Sequence, residues 1–253
     1  MNYIVSLIVV LFFSLLTWSI NGEVIGLWGF DEQTGQVAKD NSPLENDGKI
    51  AADVKRVPGK FGRAIEVGGP KKDVVIPMID EYNEGQANMT FECWVYPLAV
   101  KPIRYNQLII TGRGEWGKDD PGAFQLGLTL DGVKPVARWF FRVGGWSTLK
   151  GGPEIKEKQW YHFAGTLKDG INATLYVNAE NNGAELPPKR QENPHPIYVG
   201  SWEPGSTEID AFHGCIDELR VSDEVLGPDK LGFSGSLLDV YSVRKLATLK
   251  KKQ

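Results

Sequence analysis

The 253-residue sequence is poor in the residues that carry most covalent and metal chemistry: it holds three histidines, two cysteines and three methionines. His162, His195 and His213 stand far apart, and no Cys or His follows another at the short spacing of a zinc site. No G-x-S-x-G nucleophile turn, phosphate-binding loop or dinucleotide fingerprint occurs. Charge is unexceptional, with 28 Lys and Arg against 32 Asp and Glu and a formal net charge of -4. That balance argues against nucleic acid or an anionic membrane as a partner. Helical periodicity is missing from the first third of the chain.

The long apolar run at the start, residues 4–16, is interrupted by Ser6 and Ser14 alone. It fits the core of a signal peptide and falls short of the ~20 residues a spanning helix needs. No Lys or Arg precedes it and no A-x-A site follows. We expect a signal peptide over 1–22, cut between Trp18 and Glu23, with an uncleaved anchor as the alternative. Export would place the protein outside the cell or at its surface, with no transmembrane span after signal removal. It would also expose the sequons Asn88-Met89-Thr90 and Asn172-Ala173-Thr174 to glycosylation in a host that glycosylates.

What the chain has in quantity is alternation. Residues 160–167 and 173–178 read as two strands of a hairpin, joined at Lys168-Asp169-Gly170, where Asp-Gly suits a tight turn. In 89–96, Met89, Phe91, Cys93 and Val95 oppose Thr90, Glu92, Trp94 and Tyr96. Further strands are expected at 23–30, 63–67, 73–76, 107–112, 123–130, 135–143, 197–202 and 216–221, with a Pro-rich connector at 181–196. So many short strands at regular spacing predict a sandwich.

Four stretches carry a resemblance. The W-x-H-x-A…Y-V-N hairpin (Trp160, His162, Ala164, Tyr176, Val177, Asn178), LWGFDE at 27–32, MTFECWVYP at 89–97 and FHGCIDELRV at 212–221 occur in the order seen in the laminin-G-like, concanavalin A-like lectin jelly-roll superfamily. The run P-G-x-x-G-x-A-x-x-x-x-G from Pro58 is similar to another signature of these domains. The resemblance implies an all-β fold, a concanavalin A-like jelly-roll sandwich of two antiparallel sheets, over residues 23–231. Residues 232–253 then form a basic C-terminal tail with Arg244, Lys245, Lys250, Lys251 and Lys252 against Asp239, expected to be a solvated terminus. The resemblance places Cys93 and Cys215 in strands near the centre of the sandwich. They are expected either to form a disulfide, which would add about 4 to 5 kcal/mol in the chain-entropy model, or to stay as buried thiols.

Related jelly rolls include glucan hydrolases with E-x-D-x-x-E on one strand. Here Glu208-Ile209-Asp210 begins that pattern, and His213 stands where the second carboxylate belongs. A non-catalytic chain is therefore expected. Alternation that turns Cys215, Leu219 and Val221 inward also turns Asp217 inward, where a carboxylate needs a cation or strong donors. By resemblance, this aspartate lies near the N-terminal F-D-E stretch, and relatives hold a structural calcium there. Asp31, Asp40, Asn46 and Asp217 are the candidate Ca²⁺ ligands. The metal-free alternative pairs Asp217 with Arg63 or Arg220, or has it cap backbone amides.

Trp116, Trp146 and Trp202 are flanked by turn formers, and Arg113 and Asp119 lie near the first of them. These five are the candidate ligand contacts, whereas Trp28, Trp94 and Trp160 belong to strands and packing. The expected function is a secreted binding or adhesion module for carbohydrate or an extracellular protein. A jelly-roll glucanase and a purely structural protein-interaction domain are the rivals.

Overall fold

The computed structural model describes residues 24–69, 73–77, 88–100, 106–112, 123–142, 146–168, 171–185, 195–201 and 211–237. These form two stacked antiparallel sheets of eight strands each. Sheet A runs in the order β14 (Glu180–Glu185), β13 (Asn172–Val177), β12 (Tyr161–Lys168), β7 (Asn88–Ala99), β16 (His213–Ser222), β5 (Arg63–Val67) and β4 (Lys55–Pro58). The strand β1 (Val24–Trp28) pairs with β16 beyond the end of β5. Sheet B runs β11 (Trp146–Gly151), β10 (Lys134–Arg142), β9 (Phe124–Asp131), β8 (Gln107–Gly112), β15 (Ile197–Val199), β6 (Val74–Ile76), β3 (Gly48–Ile50) and β2 (Val37–Ala38). The expected two-sheet jelly roll is the fold of the protein.

Period-two alternation explains why these sheets stack. On β7, Met89, Phe91, Cys93 and Val95 enter one hydrophobic core with Phe124, Leu126, Leu128, Trp139, Phe141, Phe163, Leu175 and Val177. Phe91 stacks on Phe124 at 4.1 Å between centroids, and Trp139 lies 5.7 Å from Phe91. The indole of Trp139 occupies space that Gly165 leaves open and donates its Nε1–H to the Thr166 carbonyl at 3.2 Å. The bare strand position in β12 is thus filled from the opposite sheet.

Several strands escape the alternation signal. The Asn-, Gly- and Glu-rich β14, expected as connector, is an edge strand held by backbone pairing to β13. Trp146, expected in a loop, begins β11 and pairs with Arg142. Ile171 N–H donates to the Lys168 carbonyl at 3.0 Å, and Asp169 and Gly170 of the expected turn lie outside the described residues.

A Cβ at position 165 would sit 2.4 Å from the Trp139 ring. Gly165→Val is expected to destabilise the protein by at least about 1 to 3 kcal/mol through overpacking. A urea midpoint matching the parent would contradict the stacking of Trp139 on β12.

Candidate functional site

Strand β16 has two neighbours along one edge: β5 pairs with Gly214 to Ile216, and β1 with Leu219 to Ser222. Between them the register shifts, and Glu218 takes a positive φ of 50°. This bulge reverses the alternation, so Ile216, Leu219 and Val221 all join the core. Asp217 and Cys215 instead share the outer face, opposite Trp94 and Tyr96. The expectation that Asp217 points into the sandwich is therefore corrected. Its carboxylate is nevertheless fully buried, under the 58–62 loop that fills the gap between β1 and β5.

That loop explains its own glycines. A Cβ on Gly59 would come within 2.6 Å of Asp217 Oδ2, and one on Gly62, at φ 56°, within 2.2 Å of Asp31 Oδ1. Phe61 N–H donates to Asp217 Oδ2 at 3.0 Å, and Arg63 N–H to Asp31 Oδ1 at 2.7 Å. Asp217 Oδ1 is buried without a hydrogen-bond partner. Burial pushes the Asp217 carboxyl up to about 8, opposed by backbone N–H groups of Phe61 and Lys60 and assisted by the charges of Glu218 and Asp31. Backbone capping by the loop is what the structure places on Asp217; Arg220 belongs to a different carboxylate.

Asp40 and Asn46 lie apart from this pair in function. Asp40 accepts four hydrogen bonds, from Leu27 N–H, Ser42 N–H, Ser42 Oγ–H and Asn46 N–H, all at 2.8–2.9 Å. Asn46 accepts from Trp28 Nε1–H at 3.2 Å and donates its side-chain amide to the Pro77 carbonyl at 3.0 Å. These two residues knot the loop after β1. Among the described residues, no three His, Cys, Asp or Glu side chains gather as a metal-binding group.

The outer face of sheet A carries a buried charged cluster that alternation alone did not reveal as a site. Glu92 on β7 is fully buried, pairs with Arg220 of β16, and lies 2.9 Å from His162 Nε2 of β12. Gly232 N–H donates to Glu92 Oε2 at 2.8 Å, Arg220 donates to the Lys230 carbonyl, and Trp94 Nε1–H to the Gly232 carbonyl. Glu218 accepts from Ser236 Oγ–H and Leu237 N–H, both at 2.8 Å. Phe233 stacks on Trp94, and Leu226 and Leu231 cover Ala164 and Tyr176. Residues 232–237, assigned to the tail from sequence, thus lie against the sheet and close this face.

Burial alone would raise the Glu92 carboxyl; Arg220, His162 and the Gly232 N–H outweigh it and hold it below its ordinary value. A depressed carboxylate contributes stability above its unfolded value near 4.5, and the contribution is lost as pH falls through the folded value.

Of the two alternatives for Cys93 and Cys215, the structure has the thiols: both are free and buried, and no disulfide joins them. Cys93 faces the core, whereas Cys215 is opposite Tyr96 on the outer side of the same sheet, three positions along β7. A bridge would have to pass through the sheet. Burial pushes the Cys93 thiol well up and that of Cys215 to about 11, so both are protonated and unreactive.

Sheet B presents a different outer face. Register places Tyr198, Thr111, Gln125, Phe140 and Thr148 side by side across β15, β8, β9, β10 and β11. Arg138, two residues before Phe140, lies with its guanidinium 4.5 Å over that ring and donates to Gln125 Oε1 at 2.9 Å. The Thr111 hydroxyl is buried with no hydrogen-bond partner. Asp73, beside β6, is buried, accepts from Ser201 Oγ–H at 3.0 Å, and has its carboxyl raised by burial. Of the candidate contacts, Arg113, Trp116, Asp119 and Trp202 lie outside the described residues, as do Glu208 and Asp210. Trp146 begins β11 at the end of sheet B where β8 finishes at Gly112. The alternating Arg138, Phe140 and Arg142 are a signal that sequence reasoning passed over.

Glu92→Gln should cost about 3 to 5 kcal/mol by leaving Arg220 buried without its counter-charge. It should also flatten the acid limb of the stability profile. A stability curve from pH 3 to 7 that superimposes on the parent's would contradict the role assigned to Glu92.

Compared by sequence with curated proteins, the chain finds no match. Solved structures do resemble it. Domain 4 of AbnA, a GH43 extracellular arabinanase from Geobacillus stearothermophilus solved with arabinotriose, aligns with TM-score 0.60 and 18% identity, over 83% of this chain and 96% of that one. The binding domain of Paraclostridial Mosquitocidal Protein 1 gives 0.64 and 14%, over 82% and 50%. Trypanosoma rangeli sialidase in complex with sialic acid gives 0.60 and 17%, over 81% of this chain and 31% of the sialidase. Identities this low establish a common fold. The family model of the Concanavalin A-like lectin/glucanases superfamily matches residues 71–232, more than half of the chain, and the protein belongs to that superfamily.

Proposed function

We propose that the protein is a secreted, non-catalytic carbohydrate-recognition module that binds its ligand on the outer face of sheet B and is stabilised by Ca²⁺ at Asp31 and Asp217. The observation that carries the reading is the make-up of the outer face of sheet B, whose Thr111, Gln125 and Phe140 are nearly buried. Sheet A is closed by the chain's own C-terminal segment through Glu92, Trp94, Arg220 and Glu218. Sheet B carries a row of aromatic and hydrogen-bonding side chains, the combination that grips a sugar ring by its apolar face and its hydroxyls.

Export rests on the leader; among the described residues, no helix is long and apolar enough to cross a membrane. Structural neighbours fit a carbohydrate role, since their titles name arabinotriose and sialic acid. The non-catalytic reading rests on the sequence, where His213 stands in place of the second carboxylate after Glu208 and Asp210. Asp131, at the end of β9, is ion-paired with Lys150 at 3.0 Å.

Ca²⁺ suits the Asp31 and Asp217 pair because Asp217 Oδ1 is a buried oxygen without a partner and a second carboxylate lies close enough to raise its affinity for protons. Bound there, a cation would tie the segment after β1 to β16 electrostatically. Asp40 and Asn46, already satisfied by the loop they organise, are left out of that set.

Trp116→Ala, Trp146→Ala and Trp202→Ala combined should weaken glycan-array binding by about tenfold or more. Full retention would remove these residues from the site, and failure of the parent to bind any glycan would refute the function. At 100 times its dissociation constant, Ca²⁺ should add about 2.7 kcal/mol of stability. An unchanged melting temperature after EGTA treatment would exclude it. In EGTA, a carboxyl raised from 3.8 to about 8 makes folding less favourable as pH climbs between those values, so Asp217→Asn should remove that decline.

A further inference from the structure

Two covers meet on one side chain. Trp94 of β7 is buried on the outer face of sheet A. From the C-terminal segment, Phe233 stacks on it at 5.6 Å between centroids, and its Nε1–H donates to the Gly232 carbonyl at 3.2 Å. From the 58–62 loop, the Phe61 ring meets it edge-on at 6.0 Å, and the Lys60 ammonium lies 4.5 Å from its centroid. Directly opposite Trp94, on β16, stands Asp217. Its Oδ2 accepts the N–H of the same Phe61, and its Oδ1 is buried without a hydrogen-bond partner.

A second connection runs along the backbone of β16. The next residue, Glu218, takes the φ of 50° and accepts from Ser236 Oγ–H and Leu237 N–H, both at 2.8 Å. Adjacent residues share a rigid peptide plane, so fixing the Asp217 carboxylate also narrows where the Glu218 carboxylate can stand. At the far end of the loop, Arg63 N–H donates to Asp31 Oδ1 at 2.7 Å. The loop is therefore held by the same two carboxylates that are assigned to Ca²⁺, and it touches the indole that holds residues 232 and 233. With the site empty, Asp217 faces the charges of Asp31 and Glu218. A divalent cation offsets that repulsion, and the charged carboxylate it favours accepts N–H groups more strongly than a neutral one.

We infer that Ca²⁺ binding at Asp31 and Asp217 and docking of residues 230–237 on sheet A are linked through the 58–62 loop, Trp94 and Glu218, each strengthening the other. This rests on the Ca²⁺ reading above and adds what the ion controls, which is how firmly the chain's own C-terminal segment closes sheet A. The bonds from Glu92 to Gly232 and from Arg220 to Lys230 bypass the loop and supply the docking that remains without the ion. Linkage is reciprocal: a segment that docks more tightly with the ion bound raises the affinity for the ion by the same factor.

The test uses the full chain and Ca²⁺ alone. Isothermal titration calorimetry measures the affinity, and hydrogen exchange by mass spectrometry compares Ca²⁺ with EGTA. Labelling times are kept short enough that β9 and β10 stay unexchanged, so that only local opening is read. Peptides covering 230–237 should exchange about fivefold more slowly, or slower still, in Ca²⁺. Phe233→Ala removes the stacking partner of Trp94 from a side chain that is 41% exposed and has no atom able to ligate the ion. It should weaken Ca²⁺ binding about fivefold or more. Phe61→Leu keeps the main-chain N–H on Asp217 and loses the edge contact with Trp94, so it should bind Ca²⁺ yet show a smaller difference between the two exchange rates. Ca²⁺ binding with equal exchange of 230–237 in both buffers, or faster exchange in Ca²⁺, would overturn the inference and leave the Ca²⁺ reading standing. Slower exchange combined with parental affinity in Phe233→Ala would overturn it too, because linkage must show from both ends. A difference that Phe61→Leu leaves at full size would overturn the route through Trp94. No heat of binding, together with a melting temperature indifferent to EGTA, would sink both readings.

Discussion

One backbone irregularity, the bulge at Glu218, sets the placement of the polar groups that β16 contributes. Strand β16 is the only one that touches β7, β5 and β1 together among the described residues, so a change of face along it is felt on both sides of the sheet. Without the positive φ at Glu218, a strand that turned Ile216 into the core would turn Leu219 and Val221 out of it. With it, both apolar segments face the opposite sheet, and Asp217, Glu218 and Arg220 are free to serve the outer face. A non-glycine residue in that conformation carries a strain of order 1 to 3 kcal/mol, which the surrounding contacts offset. Those contacts are visible: Glu218 holds Ser236 and Leu237, and Asp217 holds the 58–62 loop.

The consequence on sheet A is a charged cluster held under the chain's own C-terminal segment. On sheet A, Glu92, His162 and Arg220 are charges or potential charges removed from water, a costly arrangement unless every partner is present. The segment from Glu224 to Leu237 supplies those partners through its backbone and excludes water with Leu226, Leu231 and Phe233. That face is spent on holding the chain together. On sheet B, Arg138 donates to Gln125 within the face and the buried Thr111 hydroxyl lacks a partner, and the strands that bear them belong to a core packed through Phe124, Leu126, Trp139 and Phe141. A rigid sheet supporting an array of polar and aromatic groups is suited to recognition, because little order has to be created on binding.

Much of this fold was legible from residue pattern. Strands 63–67 and 107–112 coincide with their expected limits, and β7, β12 and β13 follow from alternation and the hairpin motif. The short strands β2, β3 and β4 and the edge strand β14 were not legible, since β2 and β3 bury Ala38 and Ile50 but are too short to show alternation, and β4 and β14 bury no residue fully. The site was harder. Strict alternation through Cys215 to Val221 misplaced Asp217, because nothing in the identity of Glu218 announces a left-handed residue. The same assumption of a continuous strand left the disulfide open, whereas Cys93 and Cys215 lie on opposite faces. Glu92 was assigned to the correct face, yet its burial depends on a C-terminal segment with no periodicity to reveal that it packs. Arg113, Trp116, Asp119 and Trp202 lie outside the described residues.

The central claim is that one sheet is sealed by the chain itself and the other does the recognising. Hydrogen exchange measured by mass spectrometry, with and without a saturating oligosaccharide, tests it most directly. The account predicts added protection in peptides covering β8, β9, β10 and β15, with β7, β12 and the 224–237 segment unchanged. Ligand-induced protection centred on β7 and β12, or deprotection of 224–237 on binding, would contradict it.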